Sequence, residues 1–130
     1  MERMLELTKE NYDKTVEGSE IVVIDCWQQF CAPCAQFAPI FEKTSEKYPE
    51  IAFAKLNAQV ETGISDHFFI STTPTTVIMK DKTVVFKKPG VFSEAQLVDI
   101  IEKIKAMDMD AFRAEKAAEK AARRAARQQK

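Results

Sequence analysis

Residues 21–27 indicate the architecture of this chain more directly than any other segment. Their sequence, IVVIDCW, is nearly all apolar and rich in β-branched residues, which is typical of a strand covered on both faces. After three intervening residues, from Cys31 onward, apolar side chains recur every three or four positions until Pro49 ends the pattern, as in an amphipathic helix. Because a strand buried on both faces needs helices to cover it, we expect an α/β domain.

The other apolar segments predict strands alternating with helices. We expect further strands at residues 4–7, 51–56, 75–79 and 83–86, helices at residues 8–17, 31–48 and 93–104, and a weaker helical pattern at residues 58–70. The connection at residues 80–82 is short enough to require an antiparallel hairpin. Ser93 and Gln96 have the spacing of a capping box. This order predicts a central mixed β-sheet flanked by helices.

Length and charge divide the chain into one domain and a tail. A chain of 130 residues has room for a single hydrophobic core and one appendage. Residues 1–110 hold 12 basic and 18 acidic side chains, a net charge of −6, whereas residues 111–130 hold 7 basic and 2 acidic ones, a net charge of +5. We therefore expect a domain at residues 1–107 and an electrostatically different tail at residues 108–130.

The sequence has neither the pattern of a membrane span nor that of a secretory signal. Its longest aliphatic run, residues 21–24, is far shorter than the ~20 apolar residues that cross a bilayer. Residues 1–8 have no basic leader and no long apolar stretch. Three cysteines are an odd number, unlike the even set of a disulfide-stabilised secreted domain. We therefore expect a cytoplasmic protein without a membrane partner, in which thiols are reactive or bind metal.

The sequence Cys31-Ala32-Pro33-Cys34 lies where the buried strand gives way to the helix. The first backbone amides of that helix and its dipole direct positive charge at Cys31, which favours a thiolate. A thiolate is the attacking species in disulfide exchange, and a second thiol three residues on is close enough to resolve the mixed disulfide. Half of a zinc or iron–sulfur site has the same spacing, but there is no second such pair and the only histidine is His67. We therefore favour disulfide exchange over a metal site, and we expect no cofactor.

Several residues on either side of this cysteine pair stand at spacings that form one pattern. Asp25 lies six residues before Cys31 and Pro39 eight after it, and Gly90 lies sixteen residues after Pro74. Together with Trp27, Lys55 and Thr73, these positions make residues 1–107, about four-fifths of the chain, resemble the thioredoxin family. The resemblance implies a thioredoxin fold, with the tail as a C-terminal helical or disordered extension.

The resemblance also implies a role for each matching residue. Cys31 would be the exposed nucleophile and Cys34 the buried resolving thiol, so that the two would form a disulfide in the oxidised protein. Asp25, with Lys55 nearby, would help to remove the proton of the resolving thiol. The residues implied to form the substrate groove are Trp27, Ala32, Pro33, Thr73, Pro74 and Gly90.

Two prolines and three departures from the family pattern refine this interpretation. Pro74 matches the family's cis-proline, which leaves the backbone before it free to pair with an extended substrate, and Pro39 would kink the predicted helix. Thr73 stands where many thioredoxins have isoleucine, whereas Phe30 and Ala32 replace the usual tryptophan and glycine. The retained proline between the two cysteines is similar to that of the reducing members of the family.

These features predict a thiol-disulfide oxidoreductase that reduces the disulfides of protein substrates and is recharged by a separate reductase. One alternative is a binding module of the same fold, in which the basic tail recruits a partner and the cysteines are auxiliary. A second alternative is a disulfide oxidase or isomerase, which a reduction potential well above the reducing range would indicate.

The tail has its own pattern. Residues 91–130 contain neither glycine nor proline, and residues 111–130 include eight alanines, so one continuous helix is locally favoured. Because alanine buries little surface, a frayed helix or disorder competes with a docking element. A basic helix would attract an acidic partner, and nucleic acid is the less favoured target. The cations concerned are Arg113, Lys116, Lys120, Arg123, Arg124, Arg127 and Lys130.

Three other features have simpler interpretations. Cys26 lies within the central strand and is expected to be buried and inert, because free cysteine is among the most buried residue types. His67 has no potential ligand nearby in sequence, so we expect an ordinary exposed or hydrogen-bonded side chain. Lys87 and Lys88 are expected at a solvated strand end.

Overall fold

Five strands and five helices follow one another along residues 4–128, the part of the chain that the computed structural model describes. The strands are β1 (Leu5–Glu6), β2 (Ile21–Trp27), β3 (Ala52–Asn57), β4 (Thr75–Lys80) and β5 (Thr83–Pro89). The helices are α1 (Tyr12–Glu17), α2 (Ala32–Ser45), α3 (Thr62–His67), α4 (Glu94–Lys105) and α5 (Met109–Gln128). The predicted order of elements is confirmed.

The strands form one mixed sheet in the order β1-β3-β2-β4-β5. β3 pairs in parallel with β1 and with β2, and α2 makes the crossover between β2 and β3. β4 pairs antiparallel with both β2 and β5. Asp81 and Lys82 form the β4–β5 turn, and φ is positive at both (50° and 65°), as in tight hairpin turns. β2 therefore lies at the centre of the sheet, and its C-terminal end lies beside the start of β4.

Two apolar cores lie on opposite faces of the sheet, because successive side chains of a strand point to opposite faces. Val23 belongs to the core that α2 and α4 cover, whereas Val22 and Ile24 belong to the core under α1 and α3. The same alternation puts Asp25 and Trp27 on the face of Val23, beneath α2. The position of Asp25 in the strand thus decides which helix it faces.

Helix α1 begins at Tyr12, so the predicted start at Thr8 is wrong. Thr8 and Asn11 exchange two hydrogen bonds, each backbone N–H donating to the other residue's side-chain oxygen (2.8 and 3.2 Å). These bonds stabilise a turn ahead of the helix, and Asn11 takes the N-cap position. Side chains of this type can satisfy backbone groups in a turn as well as in a helix, which explains the late start.

Other boundaries also differ from the prediction, and the strand expected at residues 4–7 is only Leu5–Glu6. α2 ends at Ser45 because the next N–H groups, as far as Tyr48, donate to carbonyls three residues back, the tighter winding common at helix ends. β5 extends to Pro89 because it pairs with β4 as far as Thr75. The weak pattern over residues 58–70 forms only the short helix α3. The capping box of Ser93 before α4 is confirmed.

The continuous helix expected over residues 91–130 is also wrong, because the chain breaks between α4 and α5. The Asp108 carboxylate accepts hydrogen bonds from the N–H groups of Asp110 and Ala111 (2.9 and 3.2 Å) and so caps α5. The ammonium of Lys80, only 4% exposed, holds the end of α4, where the helix dipole is negative. It donates to the carbonyls of Ile104, Lys105 and Met107 at 2.8, 3.1 and 2.9 Å.

The extension is therefore helical. Met109 at its start is buried, and Arg113 donates to the carbonyl of Asp81 in the hairpin turn (3.2 Å). From Arg113 to Gln128 every side chain except that of Glu119 is exposed. No helix within residues 4–128 is long and apolar enough to cross a membrane. Lys130 lies outside the described residues, and the domain boundary after residue 107 stays a prediction.

Candidate active site

Cys31 is the N-cap residue of α2, directly beyond the turn that follows β2. Its backbone is extended (φ −119°, ψ 101°), whereas Phe30 before it has a positive φ of 59° and a fully exposed ring. The N–H of Cys34 points at the Cys31 Sγ, 3.2 Å away. Because the first N–H groups of a helix have no partners within it, this sulfur takes the place of a capping oxygen. The arrangement stabilises negative charge on Cys31.

Cys31 and Cys34 form a disulfide, with their Cα atoms 5.2 Å apart. Cys31 is half-buried, whereas Cys34, one turn further into the helix, is only 5% exposed. Pro33 occupies the first turn, where its missing N–H removes no helical hydrogen bond, and Ala32 beside it is exposed. An incoming disulfide can therefore reach Cys31 but not Cys34.

The loop before β4 supplies the other side of the cysteine pair. The Thr73 hydroxyl donates to the Cys31 Sγ at 3.5 Å, and the Thr73 carbonyl oxygen lies 3.6 Å from the same sulfur. The Thr73-Pro74 peptide bond is cis, as the resemblance implied. The Gly90 N–H donates to the Pro74 carbonyl at 2.9 Å, and its φ of 115° is one that side-chain-bearing residues rarely adopt. Four sequence-predicted site residues thus meet at one place.

Asp25 lies in the core beneath α2 and is fully buried. Neither carboxylate oxygen has a hydrogen-bond partner among the described residues. Burial raises the pKa of the Asp25 carboxyl from 3.8 to about 6, while attraction from Lys55 opposes the rise and repulsion from Glu6 adds to it. Lys55 is the partner of Asp25 in the parallel β2–β3 pairing. This pairing accounts for the influence of the ammonium on the carboxyl.

Lys55 and Trp27 connect this buried carboxyl to the surface. The Lys55 ammonium lies 5.6 Å from the centre of the Trp27 ring, within the range of a cation–π contact. Both side chains line a cleft of about 550 Å³ that also exposes the two cysteines. The other residues lining the cleft are Gln28, Phe30, Ala32, Ala35 and Ala38.

Cys34 faces the Asp25 side of the sheet. Phe37, one turn after Cys34, packs in the same core as Val23, and Asp25 is the next residue of β2 on that face. Residues three apart in a helix share one of its faces. The buried thiol position and the buried carboxyl therefore belong to the same part of the core.

Sequence reasoning missed two features of the site. The first is the exposure and positive φ of Phe30, which follow from the sharp turn between β2 and α2. The second is Thr76, which is fully buried opposite Asp25 in the β2–β4 pairing and has no hydrogen-bond partner among the described residues for its hydroxyl. The polar start of β4, where Thr76 follows Thr75, was the available signal, but the importance of Thr76 depends on a register that the sequence does not show.

The residues set aside in the sequence lie apart from this site. Cys26 is a free cysteine buried in the opposite core, and burial raises the pKa of its thiol to about 12, with the Asp25 charge contributing. His67 is exposed at the end of α3. Lys87 is exposed but not merely solvated, because its ammonium donates to the carbonyls of Phe68 and Phe69 at 3.1 Å each. Residues 4–128 contain no cluster of three or more potential His, Cys, Asp or Glu metal ligands.

Comparisons with known proteins agree with this geometry. The family model described as Thioredoxin matches residues 3–103. A protein of Streptomyces coelicolor that carries the name thioredoxin 2 is 41% identical over 113 residues, which cover 87% of this chain and 84% of that protein. A thioredoxin of Buchnera aphidicola is 30% identical over 105 residues, covering 79% of this chain and 97% of its own.

Solved structures show the same fold. A mutant thioredoxin from Halobacterium salinarum superposes with a TM-score of 0.73 at 24% identity, covering 78% of this chain and 89% of its own. Chloroplastic thioredoxin z superposes with a TM-score of 0.73 at 20% identity, covering 82% and 98%. The family match and the curated relatives, together with the Cys31–Cys34 disulfide, show that the protein is a thiol-disulfide oxidoreductase that acts on protein disulfides. The chain belongs to the thioredoxin family.

Proposed function

We propose a catalytic cycle in which Cys31 attacks the substrate disulfide and Cys34 resolves the product. The observation that carries this assignment is the contrast between a half-buried Cys31, with an N–H and the Thr73 hydroxyl on its sulfur, and a Cys34 that is 5% exposed. The Cys31 thiolate attacks one substrate sulfur, which forms a mixed disulfide and releases one substrate thiolate. Cys34 then attacks the Cys31 sulfur, which releases the second substrate thiolate and closes the Cys31–Cys34 disulfide. Two electrons pass from the pair to the substrate.

Asp25 is the proton acceptor for Cys34 in the second step. Cys34 must lose its proton to attack, and bulk water has little access to it. A carboxyl with a pKa of about 6 is suited to take up and release a proton near neutral pH. Lys55, beside Asp25 in the sheet and exposed to the cleft, stabilises the ionised carboxylate.

The substrate groove runs across the accessible sulfur of Cys31 between two walls. The backbone before the cis-proline Pro74 can pair with an extended substrate strand, and Gly90 supports it through the hydrogen bond to the Pro74 carbonyl. Trp27 forms the opposite wall, in the cleft. Exposed Ala32 and Pro33 form the rim at the first turn of α2.

The cycle runs in the reducing direction, in the cytoplasm, with a separate reductase returning the pair to the dithiol. The proline between the cysteines supports this direction through the family resemblance. Each turnover leaves the pair oxidised, so an external electron donor is required. A reducing compartment keeps such a pair in its active dithiol form and keeps the third thiol, Cys26, free.

Equilibration with a glutathione redox buffer tests the direction. We expect a Cys31/Cys34 reduction potential below about −230 mV, because the potentials of thioredoxins as a family are about −270 mV. The oxidised fraction can be read from the mass added by an alkylating reagent, with Cys26→Ser as a background that carries only the active-site thiols. A potential above about −180 mV, the range of disulfide isomerases, would replace the reductase assignment with that of an oxidase or isomerase.

We also infer that α5 recruits an acidic protein partner. At 3.6 residues per turn, six cations of α5 fall within an arc of about 100°. These residues are Arg113, Lys116, Lys120, Arg123, Arg124 and Arg127, which we call the basic stripe. The stripe is exposed on a helix about 30 Å long that begins beside the hairpin turn, at the end of the sheet opposite Cys31. A partner bound there leaves the cysteine pair accessible, and the positive charge of the stripe attracts an acidic surface.

Neutralising the stripe without shortening the helix tests the recruitment. One variant replaces Lys116, Lys120, Arg123 and Arg127 with Gln, and its matched control replaces Ala114, Ala118, Ala121 and Ala125, on another face, with Gln. We expect the first variant to bind a fluorescent 20-residue Glu-rich peptide at least ~10-fold more weakly than the control at low salt. Equal binding by the two variants would refute the proposal, and tighter binding of a duplex DNA of similar length would replace the acidic protein with nucleic acid.

A further inference from the structure

Thr76 and Asp25 are buried side by side in the core beneath α2. They oppose each other directly in the antiparallel β2–β4 pairing, and both side chains are fully buried. The two carboxylate oxygens and the threonine hydroxyl all lack a hydrogen-bond partner among the described residues. Side chains of directly opposed residues lie on the same face with Cβ atoms about 4.5–5.5 Å apart. The Thr76 hydroxyl is therefore the polar group of β4 that lies directly opposite the Asp25 carboxyl of β2.

The unpaired hydroxyl of Thr76 distinguishes it from the other threonines buried in this region. Thr44 donates to the Ile40 carbonyl at 2.8 Å, and Thr75 donates to the Thr72 carbonyl at 2.7 Å. A buried hydroxyl without a partner costs free energy, and valine would fill the same space without that cost. Thr76 lies next to Val77 in a strand whose six residues are all buried, so packing alone does not explain a hydroxyl there.

We propose that Thr76 is a positioning residue for Asp25. When Asp25 is ionised, the Thr76 hydroxyl donates a hydrogen bond to its carboxylate. The bond fixes the carboxylate on the side of the sheet that faces Cys34 and favours its charged form, ready to accept the thiol proton. During resolution the proton moves from the Cys34 sulfur to the Asp25 carboxylate, and Thr76 loses and gains nothing. This inference rests on the proposed role of Asp25 in resolution.

The other charged and titratable groups near Asp25 come from four elements. Lys55 lies beside it on β3, and Glu6 pairs with Lys55 from β1. Cys34 faces it from α2. Lys88, on β5, pairs with Thr76 on the far side but is exposed. Of these groups, Lys55 carries the positive charge that stabilises an ionised Asp25, but its side chain points to the cleft. The side of the carboxylate that faces the core therefore depends on Thr76 for a hydrogen bond.

Removing the hydroxyl while keeping the shape of the side chain tests this role. In Thr76→Val we expect the NMR titration midpoint of the Asp25 carboxyl carbon, measured in the oxidised protein, to move upward by about one pH unit. Thr76→Ser, which keeps the hydroxyl, should restore the midpoint. Thr44→Val, which loses a buried hydroxyl elsewhere, should leave it unchanged. If Thr76→Val does not fold, Thr76→Ala removes the same hydroxyl and must move the midpoint in the same direction.

The second readout is the rate at which a preformed mixed disulfide on Cys31 resolves. Near pH 6, where Asp25 changes charge, we expect Thr76→Val to slow resolution several-fold and Thr76→Ser to restore it. A midpoint that does not move in Thr76→Val would overturn the role of Thr76 and leave that of Asp25 standing. A resolution rate that Asp25→Asn does not change would instead refute the proposed function of Asp25, whatever Thr76 does to the titration.

Discussion

Replacing Cys31 with serine should abolish the reduction of insulin disulfides. The expected loss is more than roughly a thousandfold, the order seen when a catalytic nucleophile is removed. A serine hydroxyl is not ionised at neutral pH and cannot form the mixed disulfide, and Cys34 cannot substitute because it is only 5% exposed. The measurement is the turbidity of reduced insulin chains with a dithiol as the electron source.

Cys34→Ser should fail in a different and diagnostic way. It retains the accessible nucleophile Cys31, so the first attack proceeds, but the mixed disulfide is not resolved and should accumulate as a covalent adduct visible by mass spectrometry. Cys26→Ser, which changes the thiol buried in the opposite core, should retain activity. Full activity in Cys31→Ser, or an adduct that forms on Cys34, would contradict the assignment of the two thiols.

Replacing Asp25 with asparagine should remove a pH-dependent loss of stability of about 3 kcal/mol. Burial raises the pKa of the folded carboxyl from 3.8 to about 6, so between these values the folded state retains a proton that the unfolded state has lost. Stability therefore falls as the pH rises through this window, and the loss is complete above about pH 6. Asparagine does not ionise and carries no such penalty.

Chemical denaturation of the oxidised protein at pH values from 3.5 to 8 measures this effect, because the disulfide removes the titration of Cys31 and Cys34. The informative quantity is the change in the free energy of unfolding across the window, since a buried amide has a cost of its own at every pH. Asp66→Asn, at an exposed carboxylate on α3, is the matched control. If the free energy of unfolding changes with pH in the same way in the wild type and in Asp25→Asn, then burial does not raise the pKa of the Asp25 carboxyl.

Local patterns were sufficient where the structure depends on neighbouring residues. The β-branched run of β2, the helical spacing of α2 and the capping box of Ser93 each involve contacts within a few residues, and each prediction was confirmed. The wrong predictions concerned the points at which helices begin and end. The Thr8 and Asn11 side chains formed a turn, and Asp108 restarted the helix at α5. In the first case a side chain that caps a helix formed a turn instead, and in the second the absence of glycine and proline gave no sign of the break.

The candidate site likewise combines features that are local in the sequence with contacts between residues far apart in it. The cysteine pair and its helix N-terminus are contiguous in the chain, so the sequence indicated their chemistry. The contacts of Thr73 with the Cys31 sulfur join residues 42 positions apart, and the family resemblance rather than any local rule predicted that meeting. Nothing local predicted that Thr76 would oppose Asp25, because strand register depends on how two distant segments pair.

By itself, the order of residues determined the type of each element of residues 1–107, the reactive thiol at the start of a helix and the charge difference between body and tail, since these depend on side-chain type and short spacing. Only the tertiary structure decided which strands are neighbours, which face of the sheet Asp25 occupies and which groups surround it. The physical reason is that a buried carboxyl acquires its pKa from the absence of water and from charges on other strands. Those conditions exist only once β1, β3 and β4 have assembled around β2 beneath α2.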